Sequence, residues 1–128
     1  MKKRVYIETS VIGFLTARPS ANVVLAGHQA STQEFWNGRN RHDLFISDLV
    51  VQECEKGDAD RSLLRTKAID GLPLLDMDSD VELLASELIK KKAIPQNSVE
   101  DALHIAVAAV NAIDFIVTWN FKHISTIR

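Results

Sequence analysis

Glu8, Glu53 and Asp101 are three acids far apart in the chain, each set beside apolar residues. Glu8 lies between Val5-Tyr6-Ile7 and Val11-Ile12, Glu53 follows Val50-Val51, and Asp101 precedes Ala102-Leu103-His104-Ile105. Brought together, carboxylates about 5 Å apart at an effective dielectric near 20 repel by about 3 kcal/mol per pair. Three such pairs amount to on the order of 10 kcal/mol, as much as the whole stability of an ordinary domain. A cluster of this kind takes up a proton or binds a cation. An all-oxygen set suits Mg²⁺ or Mn²⁺, which prefer octahedral geometry and keep several waters. Such an ion lowers the pKa of a bound water and makes it a nucleophile.

Each position also has a plain structural role open to it. Glu8 could be a strand-end acid facing water, and Glu53 could lie on the outer face of a helix. Asp101 follows Ser98 by three residues and could complete a capping interaction or favour the helix dipole. Glu100, in the same turn, already serves Asn97 in that way, which leaves Asp101 for another task.

The elements that would position these acids follow from pattern. Arg4 to Glu8 reads as a buried strand, and Thr9-Ser10 offers an N-cap to a helix over 11–17. Ala21 to Arg39 reads as a long helix, Leu44 to Ser47 as a second strand, and 48–56 and 58–70 as helices stopped by Gly57 and Gly71. Leu72 to Met77 reads as a third strand with Pro73 at its start. Ser79-Asp80-Val81-Glu82 spells a capping box for a helix to Lys92. Asn97-Ser98 caps a helix to about Ala112 with an apolar stripe of Val99, Ala102, Leu103, Ala106 and Val110. Asp114 to Thr118 reads as the fourth strand. Strands alternating with helices predict an α/β fold, a mostly parallel sheet between helical layers. In such sheets ligands bind beyond the carboxyl ends of the strands. Glu8, Glu53, Asp101 and the Thr118-Trp119-Asn120 turn all converge on that end.

Composition sets the bounds. The 128 residues are 46% hydrophobic and 25% charged with a net charge of −2, which fits a single domain over 1–128. The balance is not that of a typical basic nucleic-acid binder, although short basic groups occur at Lys2 to Arg4 and Lys90 to Lys92. A lone Cys54 fits a reducing compartment, so a cytoplasmic location is expected. The apolar run after the basic start is broken at once by Glu8, Thr9 and Ser10, which argues against a signal peptide, and no apolar stretch predicts a membrane span. A dehalogenase-like phosphatase needs a second aspartate two residues after the first acid, where Ser10 stands. A dinucleotide site needs a Gly-rich turn that Gly13 alone does not supply.

The segments YIETSVIG, FISDLVVQE, NSVEDALHIAVAA and DFIVTWNFKHI resemble, in this order, the motifs of the PIN-domain family, with the VapC-type toxin branch most similar. The resemblance runs from Arg4 to Ile124. It implies a three-layer α/β/α sandwich and a Mg²⁺- or Mn²⁺-dependent ribonuclease that acts as a toxin, with a cognate antitoxin protein as partner and a homodimer as assembly. It implies metal ligation by Glu8, Glu53 and Asp101, a catalytic place for Asn120 beside them, and substrate contacts by Thr9, Ser10, His104 and His123. The chain departs from the family at Glu8, where an aspartate is usual, and at the fourth acidic place, where Asn120 or His123 stands. Relatives commonly continue with a further strand or helix, so the resemblance also implies a sheet shortened at the C-terminus. The alternative is a PIN-like module that binds RNA or protein without cutting.

Overall fold

The computed structural model describes residues 1–91, 94 and 98–120. Four parallel strands, β1 (Arg4–Ile7), β2 (Asp43–Ser47), β3 (Leu74–Leu75) and β4 (Phe115–Val117), form one sheet in the order β3-β2-β1-β4. Among the described residues, six α-helices connect them: α1 (Thr9–Thr16), α2 (Val23–Asn37), α3 (Asp48–Cys54), α4 (Ala59–Ile69), α5 (Ser79–Lys90) and α6 (Val99–Val110). The chain therefore has the three-layer α/β/α architecture that its alternation of elements predicts.

The layers follow from connectivity. The steps from β1 to β2 and from β2 to β3 run the same way across the sheet, and the step from β3 to β4 runs back past β1. Right-handed crossovers then put α1–α4 on one face and α5–α6 on the other. The packing agrees: α1 meets α2, α3 and α4, while α5 pairs with α6. Covered on both sides, β1 reads as the continuous apolar run Val5, Tyr6 and Ile7, all buried. Each fully buried aliphatic side chain, such as Ile12, Ile46 or Val50, contributes about 1.5–3 kcal/mol.

Several local expectations shift. The third strand is only Leu74–Leu75, although the carbonyl of Pro73 extends the ladder by accepting from the Ile46 amide at 3.0 Å. Pro73 has no N–H to give, so pairing begins after it. The α5 cap is Asp78, whose carboxylate accepts from the Val81 amide at 3.1 Å, and Ser79 is already helical. Helix α2 starts at Val23 behind Asn22, whose side chain accepts from the Leu25 amide at 3.0 Å. Helix α6 turns a different face to the core than its large residues suggest. Ala102, His104, Ala106, Val107 and Ala108 are buried, while Val99 and Val110 are exposed. Small residues let this helix lie close to its neighbours, and that close approach is what buries His104. The stops at Gly57 and Gly71 hold: both residues adopt positive φ, +88° and +82°, which glycine tolerates without steric cost. Among the described residues no helix is long and apolar enough to cross a membrane.

Candidate metal centre

The order β3-β2-β1-β4 reverses direction between β1 and β4, and a crevice opens there at the carboxyl ends of the strands. Glu8 sits at that point. Its backbone amide makes a last link to the Val117 carbonyl at 3.1 Å, after which the two chains diverge. Its side chain is buried, 6% exposed. Glu8 is also the N-cap residue of α1, and no side chain caps that helix. The expected capping hydroxyls of Thr9 and Ser10 are turned to the acids instead. Ser10 donates to Glu8 Oε1, and Thr118 donates to the same oxygen at 2.7 Å. Each hydroxyl also accepts a backbone amide, Ser10 from Trp119 and Thr118 from Asn120, both at 2.9 Å. The loop after β4 is thereby stitched to the start of α1 through the Glu8 carboxylate.

Glu53 reaches the crevice from α3. Its Oε1 accepts from the Thr9 hydroxyl and from His104 Nε2, the latter at 2.9 Å. The His104 ring is buried between Glu53 and Tyr6, with Nδ1 2.6 Å from the Tyr6 hydroxyl, which lies 2.8 Å from Ser47 Oγ. Burial alone would raise the Glu53 carboxyl, but hydrogen bonds from His104, Glu100 and Thr9, with the electrostatic pull of His104, hold it down at about 2. Burial pushes the Tyr6 phenol well above its ordinary range, so it stays protonated and able to donate.

Glu8, Glu53 and His104 each offer a donor atom, and these atoms all lie within 4.8 Å of one another. No lysine or arginine among the described residues forms an ion pair with Glu8 or Glu53. Two carboxylates so close, compensated by hydroxyls and an imidazole, leave a negative site that fits a hard divalent cation. Asp101 stands outside that tight group. Its Oδ1 accepts from the Asn120 side-chain amide nitrogen at 2.9 Å, so the structure brings these two residues together. His123 lies outside the described residues.

Three further residues join the site that sequence pattern assigns elsewhere or leaves without a role. Glu100, which pattern assigns to helix capping, hydrogen-bonds the Glu53 carboxyl, and this contact is the main reason its own carboxyl is pushed up. Two carboxyls can meet in this way only by sharing a proton. A pair of adjacent acids in one helical turn is the signal in sequence for it. Thr118 reads as a strand end, yet its hydroxyl holds Glu8. Trp119 anchors the loop: its ring stacks on His28 with centroids 4.1 Å apart, and Nε1 donates to Thr32 Oγ1 at 2.7 Å. That anchorage fixes Thr118 and Asn120 on either side of it.

A search of curated proteins finds no match to this sequence. The family profile described as PIN domain matches residues 5–124, nearly the whole chain, and includes every element that builds this centre. The chain belongs to the PIN domain family.

Proposed function

We propose that this chain is a metal-dependent ribonuclease and the toxin of a toxin–antitoxin pair. PIN domains are generally metal-dependent nucleases, and the acidic cluster here is compatible with that activity. The observation that carries the reading is the pair of carboxylates, Glu8 and Glu53, whose oxygens lie within 4.8 Å at the switch point of the sheet. In this reading Glu8, Glu53 and Asp101 hold Mg²⁺ or Mn²⁺. The ion, when bound, supplies an activated water and offsets charge on the scissile phosphate. Thr9 helps keep Glu53 ionised, since a hydroxyl donor favours the charged form, and Ser10 and Thr118 aim the Glu8 side chain. Asn120 fixes Asp101, and its neutral amide leaves one carboxylate fewer for a second ion. An antitoxin that covers the crevice and a cytoplasmic location complete the proposal.

A binding module without cleavage is favoured by one observation, the amide at the fourth acidic place. The test is incubation of single-stranded RNA with the protein in Mn²⁺ and in EDTA, beside a Glu53→Gln/Asp101→Asn variant. Cleavage that needs Mn²⁺ and vanishes in the variant is expected. RNA retained intact by a folded, Mn²⁺-loaded protein would establish the module instead.

A further inference from the structure

Among the described residues, a buried polar chain runs from Glu53 through His104 and Tyr6 to Ser47. Ser47 ends β2, Tyr6 lies in β1, His104 lies in α6, and Glu53 lies in α3, so four elements contribute one group each. Tyr6 and Ser47 are 0% exposed and His104 is 1% exposed. The direction of the chain follows from what each group can do. An ionised Glu53 can only accept, so His104 Nε2 carries a proton. In the neutral ring Nδ1 then accepts from the Tyr6 hydroxyl, and the Tyr6 oxygen accepts from Ser47. Both imidazole nitrogens are thereby used within the protein.

We propose that His104 is a positioning residue for Glu53 rather than a ligand of the metal, and that Tyr6 and Ser47 fix its ring. The distances alone would allow His104 to bind the ion, because its donor atom lies with those of Glu8 and Glu53. The hydrogen bonds decide otherwise. For Nε2 to ligate, it must give up its proton and its 2.9 Å bond to Glu53. The proton would then pass to Nδ1, turning the bond to Tyr6 around and the Tyr6–Ser47 bond with it. A buried ring held at both ends has no reason to make that change when carboxylate and water oxygens are at hand for a hard cation. Its place matches the common pattern in which a group behind a ligating side chain sets its orientation. His104 and Thr9 take the same oxygen of Glu53 from two directions, and together they fix the carboxylate plane.

This inference rests on the proposed metal site, and the experiment separates the two. Mn²⁺ affinity is measured by calorimetry for wild type, His104→Leu, His104→Gln and Tyr6→Phe, with thermal melts in EDTA as the folding control. Pulsed EPR of wild-type protein with Mn²⁺ reads directly bonded nitrogen. Wild type is expected to bind Mn²⁺ without bonded nitrogen. His104→Leu is expected to bind about tenfold to hundredfold more weakly, as for other residues that orient a ligand. His104→Gln, whose amide can donate to Glu53 and accept from Tyr6, should recover most of the loss. Tyr6→Phe keeps the ring volume and serves where His104→Leu does not fold; it should weaken binding by a smaller factor. Bonded nitrogen overturns the positioning role and leaves the metal site standing. Unchanged affinity in folded His104→Leu or Tyr6→Phe overturns the positioning role likewise. A wild-type protein that binds no Mn²⁺ overturns the metal site and this inference together.

Discussion

Asn120 donates through its side-chain amide to Oδ1 of Asp101 across 2.9 Å. The contact ties the loop after β4 to the first turn of α6. An amide can donate to Asp101 without any cation, whereas a carboxylate there could not. Asn120→Asp at nearly constant volume replaces that attraction by repulsion, about 4 kcal/mol at an effective dielectric near 20 and 4 Å separation before relaxation. The variant should melt lower than wild type in EDTA and bind Mn²⁺ more tightly. Calorimetry and melts in EDTA read both quantities, and no change in either would place Asn120 outside the site.

Asp101→Asn removes the charge and keeps the shape. One amide flip lets its oxygen still accept from Asn120, so the fold should survive. Mn²⁺ affinity should fall beyond detection in calorimetry. A folded variant that binds Mn²⁺ as wild type does would remove Asp101 from the ligands.

Metal should stabilise the protein, because only the folded chain assembles Glu8 and Glu53. At one hundred times Kd the linkage amounts to about 2.7 kcal/mol. For a chain of this length that is roughly 10 °C in Tm. Glu8→Gln keeps an acceptor for Ser10 and Thr118, so it should fold, melt at or above wild type in EDTA, and lose the gain with Mn²⁺. An equal rise in Tm for wild type and Glu8→Gln would show that the ion acts elsewhere.

Self-association through α2 is testable in the same preparations. Val24, Leu25, Phe35 and Trp36 give this helix more large apolar groups than one sheet face needs. The structure divides them: Phe35 and Trp36 pack against the core, while Val23, Val24 and Leu25 are 86%, 64% and 42% exposed. A dimer joined through that exposed turn should be seen by light scattering at high micromolar concentration, and Val24→Glu should dissociate it. A wild-type monomer under those conditions would dispose of the dimer.

The sequence carried the architecture because every strand is a short apolar run and Gly57 and Gly71 mark real stops. Glu8 was legible because a charge inside an apolar run is costly to bury unless a partner or an ion compensates it. The environment of the acids was not legible. Thr9 and Ser10 stand where an N-cap is expected, and a hydroxyl gives no sign in sequence of whether it will serve a backbone amide or a carboxylate 44 residues away. For His104 the family resemblance implies a substrate contact, and nothing in the sequence shows that small residues on α6 bury its ring.

The Glu53–Glu100 contact gives the centre a proton to exchange for its metal. The two carboxyls are shifted in opposite directions, Glu53 down to about 2 and Glu100 up. For Glu53 the stabilisation is present above its ordinary value of 4.5 and is lost as pH falls toward 2. For Glu100 it is present below the ordinary value and is lost as pH rises through its raised value. Glu100 is largely exposed, so solvent screening makes its effect on Tm small, and proton counting is the better measurement. A cation on Glu53 competes with the proton on Glu100, so Mn²⁺ binding should release a proton at pH values between the ordinary carboxylate range and the raised value of Glu100. Calorimetry in two buffers of different ionisation heat measures that release. Glu100→Gln puts an N–H donor on Glu53 at every pH. The variant should bind Mn²⁺ with less proton release and with an affinity that depends less steeply on pH. Identical proton release in wild type and Glu100→Gln would mean that the exchanged proton belongs to another group.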